Sequence, residues 1–239
     1  MPPQKDHDLK IMKRKSSTLA VLAFSALMAA SSHAAIMVWN FTDGNSTVDS
    51  GTPVNFAISD MSIGNSNGTV ATPINSSSPS TYTGASGTNN IGNAFRTGPL
   101  GTGVGQSGYL EFTVTPFSGF TFILSDMDFG MRSTLTGPLS YALRASSDAY
   151  TANIFTGSNA NNGLWTLKNN TFTAFNSTVP GASVTFRLFA FDGAGNAAPS
   201  TINGRFDDIS IDLTAIPEPS SALLGAIGAL GLLRRRRLC

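Results

Sequence analysis

The chain has 239 residues, a formal net charge of +1, 12% charged residues, 41% hydrophobic residues and a single cysteine, Cys239. One cysteine excludes a disulfide framework and a thiolate zinc cluster. Both histidines, His7 and His33, sit near the N-terminus, so residues 35–219 hold neither His nor Cys and cannot assemble a Ser-His-Asp or Cys-His triad.

The N-terminus reads as a secretory signal peptide over residues 1–34. Lys13-Arg14-Lys15 precede an apolar stretch at 19–30, and Ser32-His33-Ala34 supplies the small residues that a signal peptidase accepts, which places cleavage between Ala34 and Ala35. Met12 offers a shorter start with the same features downstream. With both ends set aside, residues 35–219 carry six basic against twelve acidic residues, a net −6. A mildly acidic body has no basic footprint for nucleic acid.

A body at 35–215 is large enough for one domain with a substantial core. Its early part includes a Gly/Asn/Ser-rich excursion at about 62–108, with Gly64-Asn65-Ser66-Asn67-Gly68 and Asn75-Ser76-Ser77-Ser78-Pro79-Ser80 among its segments. So few apolar side chains predict long turns rather than core strands, with Tyr82, Ile91 and Phe95 as the pins.

Strands follow. Leu110, Phe112 and Val114 alternate with Tyr109, Glu111 and Thr113; Leu139, Tyr141 and Leu143 alternate with Ser140, Ala142 and Arg144. Residues 184–191 make the strongest strand, and Ile209, Ile211 and Leu213 alternate with Ser210 and Asp212. Period-two runs rich in Val, Ile, Thr, Phe and Tyr, divided by Gly/Asn/Ser turns and without helical periodicity, predict an all-β, antiparallel two-sheet sandwich of jelly-roll type.

Candidate chemistry in the body is sparse. Asp126 and Asp128, two apart on a strand, project from one face, where they could hold Ca²⁺ or, with a third acid, act as a glycosidase pair; a solvated strand face is the plainer reading. Asp207 and Asp208 are adjacent and so point to opposite faces of a regular strand, one capping a turn or pairing with Arg205 or Arg187 and the other meeting solvent. They are the other candidate calcium residues. Trp39, Trp165, Tyr82, Tyr109 and Tyr150 could stack on sugar rings, although aromatics in a sandwich of this size belong more often to the core.

The C-terminus is built differently. Ile216-Pro217-Glu218-Pro219-Ser220-Ser221 leads into an uncharged apolar run at 222–233 and then Arg234-Arg235-Arg236-Arg237. The prolines lack N–H donors and separate the body from the run. As a helix, the 14 residues of 220–233 would reach about 21 Å, short of a hydrocarbon core of about 30 Å, so spanning needs a thinned bilayer or flanking residues. The four arginines predict a cytoplasmic end, with Pro217 and everything upstream outside.

These three parts in this order resemble the PEP-CTERM protein-sorting domain. The resemblance implies a bacterial protein that crosses the inner membrane, is anchored transiently there by a C-terminal transmembrane helix at 222–233 within the sorting segment 216–239, and is processed by an exosortase, a membrane-embedded cysteine transpeptidase, at or near Pro217, Glu218 and Pro219. Arg234, Arg235, Arg236 and Arg237 match the cytoplasmic stop; Leu238-Cys239 after them departs from the pattern. A second resemblance spans roughly 120–213: Asp126-Met127-Asp128-Phe129-Gly130, Gly137-Pro138-Leu139-Ser140-Tyr141, Phe186-Arg187-Leu188-Phe189-Ala190 and Gly204-Arg205-Phe206-Asp207-Asp208-Ile209 are similar to the β-sandwich module of many such proteins, which has no assigned catalytic residues. Met37-Val38-Trp39-Asn40-Phe41 is similar to their first strand.

Together these features predict a non-catalytic, cofactor-free protein of the cell surface or extracellular matrix, with exosortase and signal peptidase as its processing partners. A lectin-like adhesin for extracellular polysaccharide, with structural calcium, is the second expectation, and a glycoside hydrolase the last.

Overall fold

A computed structural model describes residues 32–68, 79–195, 201–218 and 228. The chain divides into two units: His33–Ile216, which holds the sheets, and Met1–Ser32 together with Pro217–Cys239. The sheet unit begins two residues before and ends one residue after the 35–215 body expected from sequence. The signal stretch at 19–30 and, apart from Gly228, the apolar run at 222–233 lie outside the described residues, and among the described residues no helix is long and apolar enough to cross a membrane.

Eleven strands are described: β1 (His33–Trp39), β2 (Phe56–Ile58), β3 (Ser62–Gly64), β4 (Ile91–Asn93), β5 (Gly108–Pro116), β6 (Phe120–Ser133), β7 (Ser140–Ala145), β8 (Phe155–Ser158), β9 (Trp165–Asn176), β10 (Val184–Phe191) and β11 (Gly204–Pro217). One sheet has the order β1-β11-β6-β9, with β4 also on β11; the other has β2-β5-β10-β7-β8, with β3 also on β5. Thr134 N–H donates to Asn203 O, while Thr121 Oγ1 reaches Ile216 O, so β6 and β11 run antiparallel like the pairs around them. Along the eight longer strands the chain changes sheet at every connection except β7–β8, the path of a jelly roll.

The alternation foreseen at 109–114 becomes β5, with Leu110, Phe112 and Val114 inward. Rings from the two sheets meet in the middle: Trp39 lies 5.3 Å from Phe112, Phe186 stacks on Phe112 at 5.2 Å, and Phe122 meets Phe186 edge-on at 6.1 Å. Offset and edge-on rings at these distances add to the burial of their area. The outer face of the second sheet departs from simple alternation. Ala142 and Phe189 are both fully buried, because Tyr109 packs 5.3 Å from Phe189 and Arg144 lies 6.0 Å from its ring.

The excursion at 62–108 corrects the expectation of turns without core strands. It supplies β3 and β4, and Ile91, Ala94 and Phe95 are fully buried. Phe95 packs 5.7 Å from Phe206, and the Asn203 side chain accepts from Phe95 N–H and donates to Phe95 O. A polar side chain thereby satisfies backbone that a longer strand would have paired.

Phe186, which touches Phe112, Phe122 and Phe175, should be costly to truncate. Urea unfolding is expected to give a loss of about 3–5 kcal/mol for Phe186→Ala. Phe117→Ala, at an exposed turn, should stay within about 0.5 kcal/mol of the parent. Equal losses would mean that the sheets do not close over Phe186.

Candidate functional site

The acidic pair on β11 lies where its two neighbours leave a gap. β4 pairs with Gly204 to Phe206 and β1 with Ile209 onward, so Asp207 and Asp208 are opposite neither. Asp208 adopts φ +46°, in the left-handed region, and this bulge lets Phe206 and Ile209 both face the core. It also overturns the expectation of opposite faces, because both carboxylates meet the same segment. Ser80 Oγ donates to Asp207; Tyr82 OH and Ser86 Oγ donate to Asp208, and Ser86 N–H donates to Asp208 Oδ2 at 3.0 Å. Among the described residues neither acid forms an ion pair with Arg205 or Arg187: Arg205 donates to Asn90 Oδ1 and Arg187 binds Glu111.

Burial dominates the electrostatics here. Asp207 is fully buried, and loss of hydration pushes its carboxyl up to about 7, helped by the charges of Asp208 and Asp49 and opposed by the Ser80 hydrogen bond. Burial, then the Asp208 carboxylate, holds the Tyr82 hydroxyl well above the ordinary phenol range. Its ring lies against Gly130 of β6, where a Cβ would stand 2.3 Å from Tyr82 Cε1, and 6.4 Å from Trp165. Asp49, unassigned by sequence reasoning, accepts from the N–H groups of Asn40 at 2.7 Å and Phe41 at 2.9 Å, holding the buried Phe41 at φ +55°.

Asp126 and Asp128 lie on β6 beyond a register shift after Leu124, opposite Thr171 and Asn169. Burial first, and Asp126 second, raise the Asp128 carboxyl above its ordinary range, against the N–H of Asn170, while Asp126 Oδ1 is buried without a hydrogen-bond partner. The structure does not bring this pair together with Asp207 and Asp208: among the described residues no group of three or more His, Cys, Asp or Glu has metal-holding spacing.

Of the five aromatic candidates, Trp39 and Trp165 are buried and Tyr82 serves Asp208. Tyr109 and Tyr150 sandwich the Arg187 guanidinium at 4.4 and 4.0 Å from their ring centres, and Arg187 Nε donates to Glu111 Oε2 at 2.5 Å. The outer face of the second sheet thus carries a Tyr-Arg-Tyr stack.

The C-terminal feature is positioned by β11 itself. Its final paired residues, Thr214 and Ala215, lie opposite Ala34 and His33 of β1, and the strand ends at Pro217, which has no N–H to extend a ladder. The residues flanking the expected signal-peptidase junction and those entering the Pro-Glu-Pro segment therefore share one end of one sheet. Glu218 is the last described residue of the segment; Pro219 and Arg234 to Arg237 lie outside the described residues.

The model of the PEP-CTERM protein-sorting motif matches residues 215–237. The chain is a PEP-CTERM domain-containing protein. The PEP-CTERM motif implies an exported protein that exosortase processes and that is sorted to the cell surface. A search of curated proteins finds no match. Among solved structures, the K1 adhesin domain of Lys-gingipain from Porphyromonas gingivalis is similar over 76% of this chain and 98% of that one, at 12% identity and a TM-score of 0.33. The K3 adhesin domain of the same protein covers 76% and 99%, at 14% identity and 0.35. The N-terminal cellulose-binding domain of Cellulomonas fimi β-1,4-glucanase C covers 66% and 88%, at 9% identity and 0.30. At these values the likeness extends to neither ligand nor activity.

In this PEP-CTERM protein the buried Asp207 predicts a pH-dependent fold. The folded state keeps the Asp207 proton up to about pH 7 whereas the unfolded chain releases it near 3.8, so stability should fall as pH rises between those values and then level off. Asp207→Asn is expected to flatten that slope and raise the unfolding midpoint at pH 8. An unchanged slope in denaturant titrations across pH would assign the dependence to another group.

Proposed function

We propose that this chain is a non-catalytic protein of the cell surface or extracellular matrix, and that in its one enzymatic reaction it is the substrate. The observation that carries the proposal is the continuity of β11 with the sorting motif: the last strand of a closed sandwich ends at Pro217, and the motif begins at residue 215. In this scheme signal peptidase cuts between Ala34 and Ala35, residues 222–233 anchor the chain in the inner membrane, Arg234 to Arg237 stay cytoplasmic, and exosortase acts near Pro217-Glu218-Pro219 and releases the body. The absence of His and Cys from 35–219 supports a body without catalysis, as does the ion pairing of Glu111, the only glutamate there before Glu218.

A polysaccharide-binding body is the second reading, favoured by the outward Tyr109-Arg187-Tyr150 stack. Calcium, in that version, would use Asp126 and Asp128, one of which keeps a buried oxygen unpartnered.

Intact mass of the protein recovered outside the cell tests the first reading. The parent should end near residue 217, whereas a variant carrying Pro217→Ala, Glu218→Ala and Pro219→Ala should remain uncut in the inner membrane. Full-length chains with the arginines in both would refute it. For the calcium version, the thermal midpoint should drop on adding EDTA and the drop should vanish in Asp126→Asn/Asp128→Asn; a midpoint indifferent to EDTA removes calcium.

A further inference from the structure

The two ends of the sandwich differ in charge. At the end where β11 delivers the chain to Pro217, the loops 51–55, 117–119 and 177–183 contain no charged residue. The remaining connection on that side, 146–154, has one, Asp148, whose carboxylate turns back to accept the N–H groups of Thr151 and Ala152, and the Arg144 guanidinium from β7 is tied into the same loop through Asn153 Oδ1 and Tyr150 O. His33 begins β1 there and Glu218 follows β11. The opposite end carries Asp43, Asp49, Arg96 and Asp192 in its loops.

Two large apolar side chains stand exposed at the tip of this end, as Val104, Leu135 and Leu164 do at the other, so it is the tether and not exposure alone that singles this end out. Phe117 is 53% and Val179 60% exposed. Their loops are bonded side by side: Gly181 N–H donates to Phe120 O at 3.0 Å, and Phe117 N–H donates to Asn55 O at 2.8 Å. Thr121, just beyond the 117–119 turn, reaches Ile216 O at 3.5 Å, so these loops adjoin the point where the chain leaves the sheet.

Chain length decides what this end meets. Only residues 218–221 separate Pro217 from the apolar run at 222–233. Even fully extended, the link from 217 to 222 covers at most about 18 Å. With the run in a bilayer, whose interfacial layers add only about 5–8 Å on each side of the hydrocarbon, this end of the sandwich cannot stand far from the headgroups. Before signal cleavage, the apolar stretch at 19–30 is likewise only residues 31 and 32 away from His33, on the strand next to β11.

We propose that the Pro217 end of the sandwich seats on the bilayer while the tail is inserted, with Phe117 and Val179, on loops without charge, entering the interface. This rests on the inserted-tail reading above. Aromatic and aliphatic side chains on uncharged loops suit the headgroup boundary, and the tether makes the contact intramolecular, so a small patch suffices. Cutting near Pro217 removes the tether, and two side chains alone do not hold the body on lipid. The patch therefore presents Pro217-Glu218-Pro219 at the membrane surface and still permits release.

The test uses the full chain with Cys239→Ser and single cysteines at Phe117→Cys, Val179→Cys, Leu135→Cys and Leu230→Cys. Each carries an environment-sensitive fluorophore, in liposomes of phosphatidylethanolamine and phosphatidylglycerol with and without nitroxide-labelled lipid. Leu135, 82% exposed, reports the charged end and Leu230 the tail. Nitroxide lipid is expected to quench the probes at 117, 179 and 230 at least twofold more than the probe at 135. Quenching at 230 with 117 and 179 indistinguishable from 135 would overturn the seated end and leave the inserted tail standing. No quenching at 230 would overturn both.

Discussion

Seven residues of β1 pair with β11, from His33 opposite Ala215 to Trp39 opposite Ile209, so the first strand of the sandwich is completed only by the last. A contact this distant in sequence carries the loop-closure entropy of nearly the whole body, and β1 stays without that partner until β11 is made. Once formed, the pairing holds His33 and Ala215 side by side at one end of one sheet. Everything proposed for the tail, from its exit at Pro217 to the seating of Phe117 and Val179, depends on that geometry.

The core beneath is held by aromatic rings shared between sheets, and several of its polar exceptions are answered by side chains from other parts of the chain. Asn203 substitutes for strand partners around Phe95, Asp49 secures the left-handed backbone at Phe41, and the β11 bulge is tied down by Ser80, Tyr82 and Ser86. The segment from 79 to 97 is thereby part of the fold despite its composition. Its hydroxyl donors meet carboxylates whose burial would otherwise carry an unrelieved desolvation cost. For Asp207 the relief is partial, and its raised proton affinity is the remainder.

Strands at 109–114, 139–144, 184–191 and 209–213 were legible from alternation because a sheet with one wet face writes its period directly into the sequence. The alternation failed at Ala142, which read as outward and is buried, and Phe189 beside it on the same face is buried too, because Tyr109 and Arg144 of the neighbouring strands pack over it. It failed again at the bulges after Leu124 and at Asp207-Asp208, where one left-handed or extra residue resets the period without any glycine to announce it. The partners of Asp207 and Asp208 lie 127 and 126 residues away in serines and a tyrosine of a low-complexity stretch, and no local pattern singles them out.

By itself the sequence determined the β class, the lack of imidazole and thiol chemistry in the body, and the sorting motif, because composition, strand period and a short linear signal are local properties. The tertiary structure alone decided that His33 and Ala215 meet at one end of one sheet, that the loops around Pro217 carry a single charged residue, and that a polar excursion meets the carboxylates of Asp207 and Asp208. These are consequences of strand order, and strand order is set by contacts between residues that the sequence keeps far apart.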